Sequence, residues 1–160
     1  MVLTEYLVRP ATLEDADEMA PNMRESDQAE LEACTGHSPK RALRDSIKCT
    51  ESPLVGVADG EIGCIYGVAV FDTQPYTGVI WLLGTSLIAT HSLTFLRHSR
   101  NWVREVQGSG KYKYIGNYVH GENQASIDWL RWLGFTIEEA EPYGARRELF
   151  HCFHMETEYK

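Results

Sequence analysis

The chain has 160 residues, 43% of them apolar, enough to bury a sizeable core as one domain over 1–160 without covalent staples. A net charge of −8 argues against nucleic-acid binding through phosphate contacts. No apolar run approaches the length of a membrane span and no basic-then-apolar leader opens the chain, so a signal peptide, a transmembrane segment and a membrane partner are not expected.

Tyr6 to Pro10 reads as a first strand that the proline ends. Thr12 then opens a helix with Asp15 three residues on, a capping-box pattern, and Leu13, Ala16, Met19 and Ala20 form its apolar stripe before Pro21 stops it. A second helical segment runs from about Arg24 to Cys34 and breaks at Gly36. Ser38-Pro39 sets an N-cap followed by proline at the first helical position, opening a third helix that buries Ala42, Leu43 and Ile47. From Glu14 to Glu32 there are eight acidic residues and one basic residue, Arg24. That run is a solvated face or, functionally, a lure for a cationic acceptor.

Strands follow at 54–58 and 62–71, flanking Asp59-Gly60, a type I′ hairpin signal. The second is apolar or glycine on both faces and belongs inside the sheet. After a turn at Gln74-Pro75-Tyr76 a strand is expected from Thr77 to Ile88. The long helix from Ser92 to Gln107 has an apolar stripe through Phe95, Leu96, Ser99, Trp102, Val103 and Val106, and carries Arg97, Arg100 and Arg104 on its other side. A strand from Tyr112 to Val119 leads to a helix that Asn123 opens and Gly134-Phe135 closes; strands from Phe135 and from Glu148 to Met155 end the series. The order, β-ααα-ββ-β-α-β-α-β-β, is a mixed α/β pattern.

Several groupings invite chemistry. Cys34, Cys49, Cys64 and Cys152 are scattered with no C-x-x-C pair and read as free thiols. His151 and His154 on one strand point to opposite faces, so no metal site is expected. Tyr112, Tyr114 and Tyr118 alternate on one face and form either an aromatic core or the wall of a ligand channel. Trp129 and Trp132 are core residues or partner anchors, and the arginine stripe is a solvated face or an association surface.

The segment Asn123-Gln-Ala-Ser126-Ile-Asp-Trp-Leu130-Arg-Trp-Leu-Gly134-Phe135 resembles the C-terminal half of the GNAT superfamily of N-acetyltransferases, and Arg9-Pro10-Ala11 leading into Thr12 resembles its opening. The resemblance implies a GNAT-like acyl-CoA N-acyltransferase fold, acetyl-CoA as cofactor and an amine as acceptor. It places Leu83, Thr85, His91, Ser92, Asn123 and Ser126 at the cofactor and makes Thr85 and Ser86 the candidates for relaying a proton. Two family features are missing. The pyrophosphate motif, an Arg or Gln followed by spaced glycines, has become Gly84-Thr-Ser-Leu-Ile-Ala-Thr-His-Ser92, and the tyrosine general acid seven residues after the helix-opening Asn is Leu130. Acetyl-CoA binding is therefore expected to be weak or absent. Loss of a general acid alone removes a factor of about 10² to 10⁴.

A narrower resemblance is to the small GNAT-like internal virion or assembly proteins of T7-like bacteriophages. It rests on the aromatic strand from Trp81 into Thr85-Ser86, on Asn117-Tyr118-Val119, and on Leu130 itself. It implies a degenerate site, a role through contacts with phage or host proteins or a second copy, and a place in the host cytoplasm or the virion. The alternative is a working acetyl-CoA-dependent N-acyltransferase acting on an amine of a protein or small molecule.

Overall fold

The computed structural model describes residues 2–160. Seven strands form one mixed sheet. They are β1 (Tyr6–Pro10), β2 (Leu54–Ala58), β3 (Glu61–Phe71), β4 (Gln74–Gly84), β5 (Tyr114–His120), β6 (Thr136–Tyr143) and β7 (Glu148–Glu156), in the spatial order β1-β2-β3-β4-β5-β7-β6. Every neighbouring pair is antiparallel except β4 and β5, which run parallel. Parallel strands need a crossover, and the long helix between them provides it.

Local chemistry sets the helices. α1 (Leu13–Met19) starts on a complete capping box: Thr12 accepts from the Asp15 N–H at 3.3 Å and Asp15 accepts from the Thr12 N–H at 2.8 Å. Arg9 pairs with both oxygens of that carboxylate, at 2.8 and 2.9 Å, tying β1 to α1. A 3₁₀ turn over Ala20–Asn22 carries Pro21, then come α2 (Glu25–Thr35) and α3 (Pro39–Lys48), the latter capped by Ser38. A short turn α4 (Leu87–Thr90) precedes α5 (Ser92–Gln107), and α6 (Gln124–Leu133) ends on Gly134 at φ 103°, a left-handed geometry that glycine alone adopts freely.

The sheet is the middle layer. Val55, Ile65 and Leu83 pack with Met19, Leu43 and Ile47 of α1 and α3. Ile80, Ile115 and Val119 pack with Val103, Ile127 and Leu130 of α5 and α6. Alternation along β4 serves both faces, with Leu83 and Trp81 on one side and Ile80 and Leu82 on the other. No helix among the described residues is long and apolar enough to cross a membrane.

Four expectations need correction. The strand drawn from Thr77 to Ile88 stops at Gly84, because Thr85 turns its hydroxyl back to the Ile62 and Gly63 carbonyls and the chain coils into α4. The β3–β4 turn falls on Asp72-Thr73, and Gln74, Pro75 and Tyr76 lie within β4 at its free beginning, where a missing N–H is tolerated. β5 begins at Tyr114 rather than Tyr112. Its tyrosine face is only partly core: Tyr112 packs against the α5–α6 side, whereas Tyr114 is half exposed and Tyr118 lines the cavity and stacks on Tyr143 with centroids 3.7 Å apart.

Candidate active site

β4 and β5 pair only through Thr77–Val79 opposite Tyr114–Gly116 and then part. The Asn117 side-chain amide donates to the Ile80 carbonyl at 3.0 Å, the last rung before the gap. Beyond it a cavity of about 210 Å³ passes through the sheet, from Trp102 and Leu130 on the α5–α6 side to Leu31 and Cys34 of α2 on the other. The Thr85 N–H donates to the Gly63 carbonyl at 2.9 Å, which fixes the alternation of β4: Ile80, Leu82 and Gly84 turn their backbone groups toward the gap. Leu82 lines the cavity with no strand opposite it.

On the α2 side the cavity meets Glu30. Its carboxylate accepts the His120 N–H at 2.7 Å. Burial drives its pKa up to about 7, and the nearby Asp27 charge adds to the rise, while the His120 N–H, Asn123 and the His120 ring oppose it. No Lys or Arg pairs with Glu30 among the described residues. Asn123 is 4% exposed and caps α6, its Oδ1 accepting the Ser126 N–H at 3.3 Å. It is close enough to Glu30 to favour that charge, yet its Nδ2 reaches no acceptor in hydrogen-bond geometry. Below them His120 Nε2 sits 3.0 Å from Glu148 Oε1.

At the far end of the gap the groups are engaged. The Gly84 N–H donates to Asp27 Oδ2 at 2.9 Å, and the Gly84 carbonyl accepts the Arg24 N–H at 2.9 Å. Asp27, 1% exposed, is held in turn by the Arg24 guanidinium at 3.0 and 3.1 Å. The following turn closes on itself. Leu87 N–H donates to Thr85 Oγ1, Ile88 N–H to the Thr85 carbonyl, Ala89 and Thr90 N–H to that of Ser86, and His91 N–H to that of Leu87. The Ile88 side chain folds over Gly84, where a Cβ on that residue would stand. A second hollow, beside Thr85, Ser86 and Leu87, is lined by Glu18 and Glu61 and by no Lys or Arg.

Of the residues expected at the cofactor, Leu83 and Ser126 line the cavity and Asn123 lies beside it. The other three, and Ser86 of the proton-relay pair, lie away from it, after the end of β4. Thr85 is buried with its hydroxyl bonded to two carbonyls, Ser86 and Ser92 are exposed, and His91 precedes α5 without a side-chain cap. His151 and His154 both reach Glu138, one to its carbonyl at 2.7 Å and one to its carboxylate at 2.8 Å. Trp129 is packed, its indole donating to Ser99 at 3.2 Å, whereas Trp132 is 42% exposed beneath Arg100, whose guanidinium lies 3.8 Å from the ring centre. Asp27 and Glu30 were hidden in the acidic run. The available signal is their spacing with Cys34 (i, i+3, i+7), which puts all three on one face of α2.

No protein-family model matches the sequence, and no curated protein does. Solved structures do. A ribosomal L7/L12 α-N-protein acetyltransferase, solved with coenzyme A, superposes with a TM-score of 0.70 over 100% of this chain and 98% of its own at 12% identity. A ribosomal-protein-S5-alanine acetyltransferase from Vibrio fischeri gives 0.67 over 98% and 97% at 17% identity. A GNAT-family acetyltransferase from Streptococcus pneumoniae gives 0.62 over 96% and 99% at 18% identity. The chain therefore has the GNAT acetyltransferase fold, as the element order and the two ends of the sequence implied.

Proposed function

We propose that this chain is a GNAT-fold protein whose acyl end is kept and whose nucleotide end is closed, so that it works chiefly through protein contacts. The carrying observation is the stretch from Gly84 to His91, where every backbone N–H except that of Ser86 is bonded within the protein. Acetyl-CoA, the cofactor the resemblance implies, fits the first end and not the second. The orphaned Asn123 Nδ2 and the open edge of Leu82 suit the amides and thioester of a pantetheine arm. The occupied Gly84 N–H, the overlying Ile88 and the neighbouring Glu18 and Glu61 do not suit a pyrophosphate.

The contact role we assign is that of a bacteriophage protein acting in the virion or in its assembly, with phage or host proteins or a second copy as partners. Support for it is the resemblance carried by Trp81 to Ser86, Asn117-Tyr118-Val119 and Leu130. Leu130 is 4% exposed in the α5–α6 core, as a packing residue would be. The second reading is an acetyl-CoA-dependent N-acyltransferase, and the open cavity with Glu30 on its wall favours it.

Calorimetric titration with acetyl-CoA decides between them. Two or three missing amide-to-phosphate bonds, at about 1.5–3 kcal/mol each, move a micromolar site to about millimolar. A low-micromolar dissociation constant with release of free thiol on adding an amine overturns the first reading. In a phage that encodes the chain, particles made without it should lose infectivity, and an Asn123→Ala copy should restore it.

A further inference from the structure

We propose that copies of this chain associate head to tail, the arginine row on the outer face of α5 seating on the acidic face around Glu14, Glu18 and Glu61 of the next copy. The inference rests on the protein-contact part of the reading above, for which it names a surface and a partner, and not on the nucleotide end.

The basic side is a single stripe. Leu93, Arg97, Arg100 and Arg104 fall at i, i+4, i+7 and i+11, along about 16 Å of α5. Leu93 is 78% exposed, Arg97 and Arg104 are exposed, and Arg100 lies over the exposed ring of Trp132 on α6. No ion pair among the described residues uses an arginine of α5 or α6. Lys40, Arg41 and Arg44 of α3, by contrast, are each paired with an aspartate. The carboxylates of α5 and α6 do not serve the row: Glu105 lines a hollow against β3, and Asp128 accepts the Gln124 amide at 2.8 Å. In a chain of net charge −8, a row of guanidiniums thus stands free with a tryptophan among them, and Arg and Trp are the side chains that most often anchor interfaces.

The acidic side has the matching shape. Glu14 and Glu18 stand one helical turn apart on α1, both exposed and neither in an ion pair among the described residues. Glu18 and Glu61 line a hollow of about 410 Å³ that no Lys or Arg enters, which leaves room for guanidinium groups from outside. α1 packs on one face of the sheet and α5 on the other, so a copy cannot bring its own two surfaces together. Contact between copies is then heterologous, and it repeats along a row of molecules instead of closing as a two-fold dimer. Exposed ion pairs are weak one by one, so affinity depends on several forming together while Leu93 and Trp132 leave water. Two chains of charge −8 repel at long range, but at physiological salt that field fades over about 8 Å, and the groups that meet decide the contact.

Sedimentation of the full chain tests this. From about 10 μM to about 1 mM, in about 0.1 M salt, the weight-average mass should climb past that of a dimer without levelling, and about 0.5 M salt should weaken the association by about tenfold or more. Two double variants, Arg97→Ala with Arg104→Ala and Glu14→Gln with Glu18→Gln, change exposed side chains only. Each should stay monomeric at an unchanged melting temperature. Mixed, they should form a one-to-one pair and stop there, because each keeps the face the other lacks. A wild type that stays monomeric throughout, a mass that levels at a dimer, association indifferent to salt, or variants that fail to pair on mixing overturns the proposal. A monomeric wild type leaves the protein-contact reading to the acetyl-CoA titration, and tight acetyl-CoA binding overturns that reading while leaving this contact standing.

Discussion

Both ends of the cleft are built on the gap-facing edge of β4. At Leu82 that edge looks into a cavity, with an orphaned Asn123 Nδ2 and an unpaired Glu30 nearby. Two residues on, from Gly84 to His91, all the backbone donors but that of Ser86 are taken, by Asp27, by the Gly63 carbonyl, by Thr85 and by the turn itself. Buried polar groups are almost always satisfied in folded proteins, so an unsatisfied one beside a cavity marks room for a water or a ligand. The same strand thus has one end whose edge faces a cavity and one whose edge is bonded to the chain's own groups. Filling has a stabilising consequence, and leaving open has a cost, and both can be measured.

The largest effect should come from unlocking the filled end. Asp27→Ala removes the acceptor of the Gly84 N–H and strands Arg24, and breaking a buried pair of this kind costs about 3–5 kcal/mol. Denaturant melts should show it directly. Asp27→Asn keeps one acceptor and should lose less. A loss below about 1 kcal/mol for the alanine variant would mean that α2 is not clamped to β4 by this residue.

The open end gives the opposite sign. A carboxyl whose folded pKa lies above its unfolded value binds more protons when folded, so its contribution to stability falls as pH rises from about 4.5 through about 7. Glu30→Gln should therefore match wild type near pH 5 and exceed it by about 1–3 kcal/mol near pH 8. Asp15 is the control. Its carboxyl is held below the usual range, first by the Arg9 guanidinium and then by the Thr12 N–H, so the stability it confers is full above its unfolded pKa and is lost as pH falls through the folded one. Asp15→Asn should cost stability at pH 7, and the difference should shrink in acid.

Leu130→Tyr tests the catalytic side of the same comparison. The residue is buried between α5 and α6 with Ile127, Val103 and Phe135. Enlarging it should cost about 1–3 kcal/mol by overpacking. It should not raise acyl transfer, because the nucleotide end stays closed. A hundredfold gain in thiol release with an unchanged melting temperature would restore the working-enzyme reading.

How much of this was legible in the chain follows from what each element depends on. α1, α3, α6 and the Asp59-Gly60 hairpin depend on caps and turns written in adjacent residues, and each is where the sequence puts it. β4 was misjudged at both ends. Pro75 reads as a turn and Leu87-Ile88 as strand, and only the ladder with β3 shows where pairing begins and stops. At the cavity, Asn123 and Ser126 belong to the helix motif, whose pattern is local, and Leu83 to β4. Asp27 and Glu30 were missed, because an acidic helix face looks the same whether it meets water or a gap in a sheet. The burial of Asp27 and the half-burial of Glu30 depend on where β4 and β5 part, which no local pattern encodes.

The smallest expected effect is a partial reopening of the filled end. Ile88 is 9% exposed, its side chain covers Gly84, and its N–H is bonded to the Thr85 carbonyl. Ile88→Gly uncovers Gly84 and loosens a turn of four residues, too short to hold its shape by helix propensity alone. Its N–H and that of Ala89 can then turn outward. One recovered charge-assisted bond, at the low end of its range, is about tenfold in affinity. Acetyl-CoA should gain that factor, while acetyl-pantetheine, which has the same arm and no nucleotide, should bind wild type and variant alike. The ratio of the two ligands isolates the nucleotide end from any general loosening, which would move both. If wild type already prefers acetyl-CoA over acetyl-pantetheine by more than about tenfold, Gly84 to His91 is not closed, and the contrast between the two ends of β4 disappears.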